Sequence, residues 1–204
     1  MKTQFDDSLL AEFTNPDILV AGVDEVGRGA LFGSVVAAVV VLPLATIPQL
    51  IALGVKDSKK LSPAKRLELI EPIKDTVACS SICSASAAEI DELNILQASL
   101  LAMKRCILNL SLKPDICLID GNRLIPNLNL LQKTVVKGDL RSPVIAAASI
   151  LAKVKRDELI VDLADRYPEY DLAKNKGYPT AKHRQAIAKY GLTPEHRRSF
   201  KSCQ

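Results

Sequence analysis

The chain has 204 residues, 48% of them hydrophobic and 25% charged, the make-up of one globular domain rather than of a disordered or fibrous chain. Aromatic residues make up only 4% and Trp is absent, so the core must be aliphatic, while a formal net charge of +4 suits a polyanionic partner without requiring one. Five cysteines without a CxxC pair argue against a disulfide framework, and the longest apolar stretch (residues 31–45) is broken by Gly33, Ser34 and Pro43 and is too short to span a bilayer.

The first ten residues include Asp6 and Asp7 and lack a signal peptide's charged-then-apolar pattern, so a soluble, reduced, cytoplasmic protein is expected. Residues 18–23 form an apolar, β-branched run that reads as a buried strand, followed by Asp24-Glu25 and the turn Gly27-Arg28-Gly29. Residues 35–42 make a second such strand, and with Gly27, Gly29 and Gly33 between them the two should form a hairpin or tight meander. Ser62 as N-cap and Pro63 at the first helical position open a helix to about Lys74. Residues 76–85 are a third strand candidate. From Ala87 to about Leu110, apolar Ile90, Leu93, Leu96, Leu100, Met103 and Ile107 recur every three or four residues, which predicts one long amphipathic helix.

Residues 115–119 read as a short buried strand ending in Asp120-Gly121-Asn122, and residues 134–136 as another ending in Lys137-Gly138-Asp139. Ser142-Pro143 repeats the cap signature and starts a helix to about Tyr167. The tail holds a basic loop with Lys174, Lys176, Gly177 and Tyr178, a short helix over 181–190, and the run His196-Arg197-Arg198. Strands alternating with helices predict an α/β domain with a mixed sheet flanked by helices: a single domain, with an α/β core over about 1–167 and a basic, helical C-terminal segment over 168–204.

The chemistry concentrates where strands end. An unpaired buried carboxylate is costly, so two adjacent ones at a strand end suggest an expected cation. Asp120 and Asp139 occupy the same kind of position. Each has a plainer reading: a solvated strand end for Asp24-Glu25, a turn former for Asp120, a helix cap for Asp139. Four converging carboxylates would repel unless a hard cation joined them, and Mg²⁺ or Mn²⁺ suits an all-oxygen set better than zinc. Sites of that kind hold one or two ions and serve phosphoryl-transfer chemistry. Gly27-Arg28-Gly29 allows close backbone approach, and Arg28 can fork onto a phosphate. Lys59 and Lys60, just before a helix N-terminus, offer a second phosphate contact or an ordinary solvated loop. Tyr178 either stacks on a base or sugar or closes the core. Asp157 reads as a solvated ion-pair partner of Lys153, and His183 and His196 as part of the basic surface. The cysteines read as small hydrophobes.

Taken in order, Asp24-Glu25-Val26-Gly27-Arg28-Gly29, Asp57-Ser58-Lys59-Lys60-Leu61, Asp120-Gly121-Asn122 and Lys137-Gly138-Asp139 resemble the motifs of bacterial ribonuclease HII. So do the run over 146–154, Lys176-Gly177-Tyr178 and His196-Arg197-Arg198-Ser199-Phe200, so that the resemblance covers residues 20–200. It implies a ribonuclease H-like fold and Mg²⁺- or Mn²⁺-dependent cleavage of the RNA strand of RNA–DNA hybrids and at ribonucleotides embedded in duplex DNA. The products would be 3′-hydroxyl and 5′-phosphate ends, and the roles ribonucleotide excision and primer removal. It implies Asp24, Glu25, Asp120 and Asp139 as metal ligands in a two-ion site, with Asp24 bridging. Gly27, Arg28 and Gly29 would sense the 2′-hydroxyl, Lys59 would contact phosphate, and Tyr178 would stack on the following deoxyribose. Ala30, Phe32 and Ser34 stand where the family usually has Pro, Ala and Pro, which should loosen the turn. A hybrid-binding module without turnover, and a junction-resolving nuclease on the same fold, are the competing readings. A monomer is expected, and no clamp-binding tail is evident after Phe200.

Overall fold

The apolar run ahead of the carboxylates forms the middle of a five-stranded sheet. In the computed structural model, residues 5–56 and 58–203 are described, for Asp7 the backbone alone; the expectations for residues 1–4 and Asp57 lie outside them. β1 (Leu19–Val26) pairs antiparallel with β2 (Val35–Pro43), the expected hairpin. After the short α1 (Ile47–Ala52) comes α2 (Pro63–Thr76), whose N-cap Ser62 accepts a hydrogen bond from the Lys65 N–H at 3.2 Å. β3 (Cys79–Ala85) joins the far side of β2 in antiparallel register.

α3 (Ala87–Leu93) and α4 (Ile95–Leu108) take the place of the one long helix predicted there. Asn94 breaks it: its φ is 73°, and its Oδ1 accepts from the Leu96 and Gln97 N–H groups at 3.0 and 3.1 Å. A polar side chain able to cap the next helix competes with helix continuation, and hydrophobic spacing alone does not register that competition. β4 (Ile116–Asp120) runs parallel to β1, and β5 (Leu131–Val135), lying earlier in the chain than predicted, runs parallel to β4. The one-turn α5 (Gly138–Arg141) leads into the 22-residue α6 (Pro143–Ala164), capped by Ser142. α7 (Leu172–Asn175) and α8 (Ala181–Tyr190) complete the tail.

The sheet order is β3-β2-β1-β4-β5. Both faces of β1 and β2 are covered, which is why they read as unbroken apolar runs. Val20, Ala38 and Val40 pack on α6; Ala21, Val23 and Val39 pack on α4. Gly22 sets how closely α6 can lie on β1, because a Cβ there would stand 2.4 Å from the Val144 backbone carbon. Cys106, Cys117 and Cys203 are buried and Cys79 and Cys83 half-buried, all of them free thiols. Among the described residues no helix is long and apolar enough to cross a membrane.

Candidate active site

Asp24 and Glu25 are on the last turn of the pleat in β1, and Asp120 ends β4 beside them, the register pairing Val23 with Ile119. One carboxylate oxygen from each of Asp24, Glu25 and Asp120 lies within 4.8 Å of the other two. Asp24 is only 5% exposed. Its Oδ1 accepts the Glu25 N–H at 2.7 Å, and the nearby Ser149 hydroxyl on α6 favours its charged form. The Ser149 hydroxyl also stands 2.9 Å from that of Ser58, within hydrogen-bond distance. Asp120 Oδ1 accepts the Gly138 N–H at 2.6 Å, a bond across the sheet rather than within an Asp-Gly turn.

Burial, reinforced by the neighbouring Glu25 and Asp120, holds the Asp24 carboxyl well above the usual range. Burial also pushes Glu25 from 4.5 up to about 7 against the attraction of Arg28, with Asp120 adding to the rise. Asp120 is raised by burial, opposed by the Gly138 N–H and assisted by Asp139. Glu25 Oε1 receives the Arg28 Nη1 at 3.1 Å, whereas its Oε2 is buried without a donor. A trio of carboxylates, one with a buried oxygen that meets no donor, fits a divalent cation, and an all-oxygen donor set fits Mg²⁺ or Mn²⁺.

Asp139 is buried in α5 beside this trio but outside it. Its Oδ2 accepts the Lys59 Nζ at 3.3 Å, and the cap of α6 is Ser142, so the capping alternative for Asp139 does not hold. Arg28, Lys59 and Tyr178 line the same cleft as the three carboxylates. The half-buried Tyr178 ring has the Arg156 guanidinium 5.2 Å and the Lys153 ammonium 5.7 Å from its centre. Lys153 does pair with Asp157, at 2.7 Å, but both side chains are about four-fifths buried (19% and 20% exposed), so the pair is not the solvated one expected.

The two histidines are not part of a basic surface, and neither is Arg197, whereas Arg198 is exposed. His183, His196 and Arg197 are 0%, 1% and 0% exposed. Arg197 Nη1 donates to the carbonyls of Gly27, Arg28 and Ala30 at 2.7, 3.1 and 2.8 Å, and its Nε to Gly33 at 2.9 Å. A tight turn aims carbonyls inward that no ladder satisfies, and one guanidinium meets four of them. Arg156, also fully buried, donates to the carbonyls of Lys176 and Phe32 at 2.9 and 3.3 Å. Phe32 is fully buried, edge-on to Tyr167 and His196 at 5.6 and 5.0 Å. The turn that lacks its prolines is thus tied by packing and by Arg197. Local sequence could not assign Arg156 and Arg197 these partners: Phe32 lies 124 residues from Arg156, and the carbonyls that Arg197 meets lie 164 to 170 residues from it.

The sequence model of the ribonuclease HII family matches residues 21–203. A ribonuclease HII of Acaryochloris marina is 60% identical over 185 residues, 91% of this chain and 93% of that protein. The crystal structure of ribonuclease H2 from Pyrococcus horikoshii superposes with a TM-score of 0.78 at 29% identity, covering 91% of this chain and 95% of that one. A crystal structure of Bst-RNase HIII in complex with Mn²⁺ shares the fold, with a TM-score of 0.75 at 19% identity over 97% of this chain and 72% of that one.

Proposed function

The chain belongs to the ribonuclease HII family, enzymes of the ribonuclease H type that act on RNA–DNA hybrids, and on that premise we propose that its carboxylate cleft cuts at ribonucleotides joined to DNA by two-metal-ion hydrolysis. The observation that carries this reading is the trio Asp24, Glu25 and Asp120, with one buried Glu25 oxygen lacking any donor. Mg²⁺ or Mn²⁺ bound there would activate water and stabilise the leaving oxygen.

The chain's own residues divide the remaining work. Asp24, the most deeply set, is held by the Glu25 N–H with the Ser149 hydroxyl nearby, and is the ligand best placed to be shared. Asp139 would complete the ligand set from α5, with Lys59 beside it to meet a phosphate oxygen. Gly29 is exposed, and nothing lies within 4 Å of where its Cβ would be, which leaves room for a ribose against the backbone. A 2′-hydroxyl both donates and accepts hydrogen bonds, and its recognition by Gly27, Arg28 and Gly29 would separate RNA from DNA. Tyr178 would stack on the deoxyribose that follows. The products would carry 3′-hydroxyl and 5′-phosphate ends, in a protein serving ribonucleotide excision and primer removal as a single cytoplasmic domain.

The deciding measurement is cleavage of a DNA duplex containing one ribonucleotide. Mg²⁺- or Mn²⁺-dependent nicking beside that ribonucleotide is expected, falling about a thousandfold or more in Asp24→Asn. Binding without a nick, or cutting of all-DNA branched substrates instead, would overturn the reading.

A further inference from the structure

The chain has two histidines, and they face each other in the buried pocket behind the tyrosine loop with their Nε2 atoms 3.2 Å apart. His183 is in the first turn of α8; His196 lies in the C-terminal run, bridged to Phe32. A neutral imidazole offers one donor and one acceptor, so what each outer nitrogen meets decides what the inner one does. His196 Nδ1 lies 3.0 Å from the Thr193 backbone N–H and 2.9 Å from its hydroxyl. A backbone N–H can only donate; that nitrogen therefore carries no proton, and the His196 proton sits on Nε2. At the other end, His183 Nδ1 lies 3.0 Å from the Tyr178 carbonyl oxygen, which can only accept. The His183 proton is therefore on Nδ1, and its Nε2 accepts from His196. Both ends dictate the same arrangement: Thr193 donates to His196, His196 to His183, and His183 to Tyr178.

The surroundings hold both rings neutral. Phe32 and Tyr170 pack around them, the Tyr170 hydroxyl is committed to the Gly191 carbonyl at 2.9 Å, and the buried Arg197 adjoins His196. The Tyr178 carbonyl also accepts the Thr180 N–H at 2.8 Å, so both of its lone pairs are engaged. That fixes the peptide plane from which the Tyr178 ring projects into the cleft, against Arg156 and Lys153.

We propose that the His183–His196 pair is a positioning device that holds Tyr178 at the angle at which its ring meets substrate, taking no part in bond cleavage itself. The proposal rests on the reading of Tyr178 as a substrate contact. Neither local spacing nor charge pattern announced it, since the two rings are 13 residues apart and each alone looked like part of a basic surface.

Two measurements test it. With only two imidazoles in the chain, long-range ¹H–¹⁵N NMR of histidine-labelled protein at pH 7.5 should show one ring protonated at Nδ1 and one at Nε2; two rings of the same tautomer, or a charged ring, would overturn the relay. Kinetics on the single-ribonucleotide duplex then tests its consequence. His183→Asn keeps an amide donor where Nδ1 stood, whereas His183→Gln places its amide near Nε2 and leaves the Tyr178 carbonyl one donor short. His183→Gln should raise KM about three- to tenfold with kcat little changed, the loss of one hydrogen bond's worth of order, while His183→Asn stays closer to wild type. In a Tyr178→Ala background, which by itself should raise KM on the order of tenfold, His183→Gln should add nothing. Equal effects of Asn and Gln, or an undiminished effect without the tyrosine ring, would refute the positioning role alone. A Tyr178→Ala enzyme with wild-type KM would refute the reading of Tyr178, and the proposal with it.

Discussion

Gly27 and Gly29 stand two residues apart in one turn, and the structure requires glycine at only one of them. At Gly27 φ is +99°, and a Cβ would lie 2.0 Å from Arg156 Nε. At Gly29 the backbone is ordinary and the space is open. Gly27→Ala should therefore destabilise the fold by about 2 kcal/mol or more through backbone strain and a displaced buried guanidinium. Gly29→Ala should leave unfolding within about 0.5 kcal/mol of wild type, yet lower kcat/KM on a ribonucleotide-containing duplex by roughly tenfold, since its methyl would fill the space assigned to the sugar. Denaturant unfolding and cleavage kinetics on the two variants check this; equal destabilisation would mean that Gly29 is also a structural glycine. The sequence marked the Gly-Arg-Gly turn but could not divide it, because the guanidinium beside Gly27 comes from residue 156. The same limit hid Arg197. Its four carbonyl partners span only residues 27–33, yet they are 164 to 170 residues away in the chain.

At the scale of elements, signals that act within a few residues were legible. Ser62-Pro63 and Ser142-Pro143 start helices as predicted, α8 has the predicted bounds, and the apolar runs of β1 and β2 form the predicted hairpin. The carboxylates were legible for the same reason: each interrupts an apolar run at a strand end. Asn94 was not, because an in-phase hydrophobic pattern carries straight through it. Its side chain caps α4 while its own φ of 73° ends α3, so two penalties can be separated. Asn94→Gly keeps the backbone and loses the side-chain cap, which should cost about 0.5 kcal/mol. Asn94→Ala loses the cap and adds a Cβ at positive φ, for about 2 kcal/mol in all. Urea denaturation should rank wild type above Gly and Gly above Ala. Alanine as stable as glycine would mean that α3 and α4 run on as one helix in solution.

Across the whole molecule, the cleft sets the stability of the metal-free protein against its chemistry. Glu25 titrates near 7 in the folded chain against 4.5 in the unfolded one, and Asp24 and Asp120 are raised as well. A carboxyl with a raised folded pKa stabilises the fold while it stays protonated, and that contribution is lost as pH rises through the folded value. His196 acts in the opposite sense, because burial lowers it from 6.5 to about 4, so folding weakens as pH falls across that interval. Between about pH 4 and 6.5 the two effects oppose one another; above pH 6.5 only the carboxyls still change charge. In EDTA, Tm should therefore fall from pH 6.5 to 8, by roughly 5 °C if the net loss is on the order of 2 kcal/mol. Asp24→Asn removes one charge from the trio and keeps an oxygen for the Glu25 N–H, so it should be more stable than wild type in EDTA at pH 8 while being inactive. Mn²⁺ should remove the decline in wild type by replacing the protons, and should do so less well in the variant. Thermal unfolding across pH, with and without Mn²⁺, is the measurement. A flat profile in EDTA above pH 6.5 would show that burial and mutual repulsion do not raise these carboxyls in solution, and the case for a cation between them would lose its electrostatic basis.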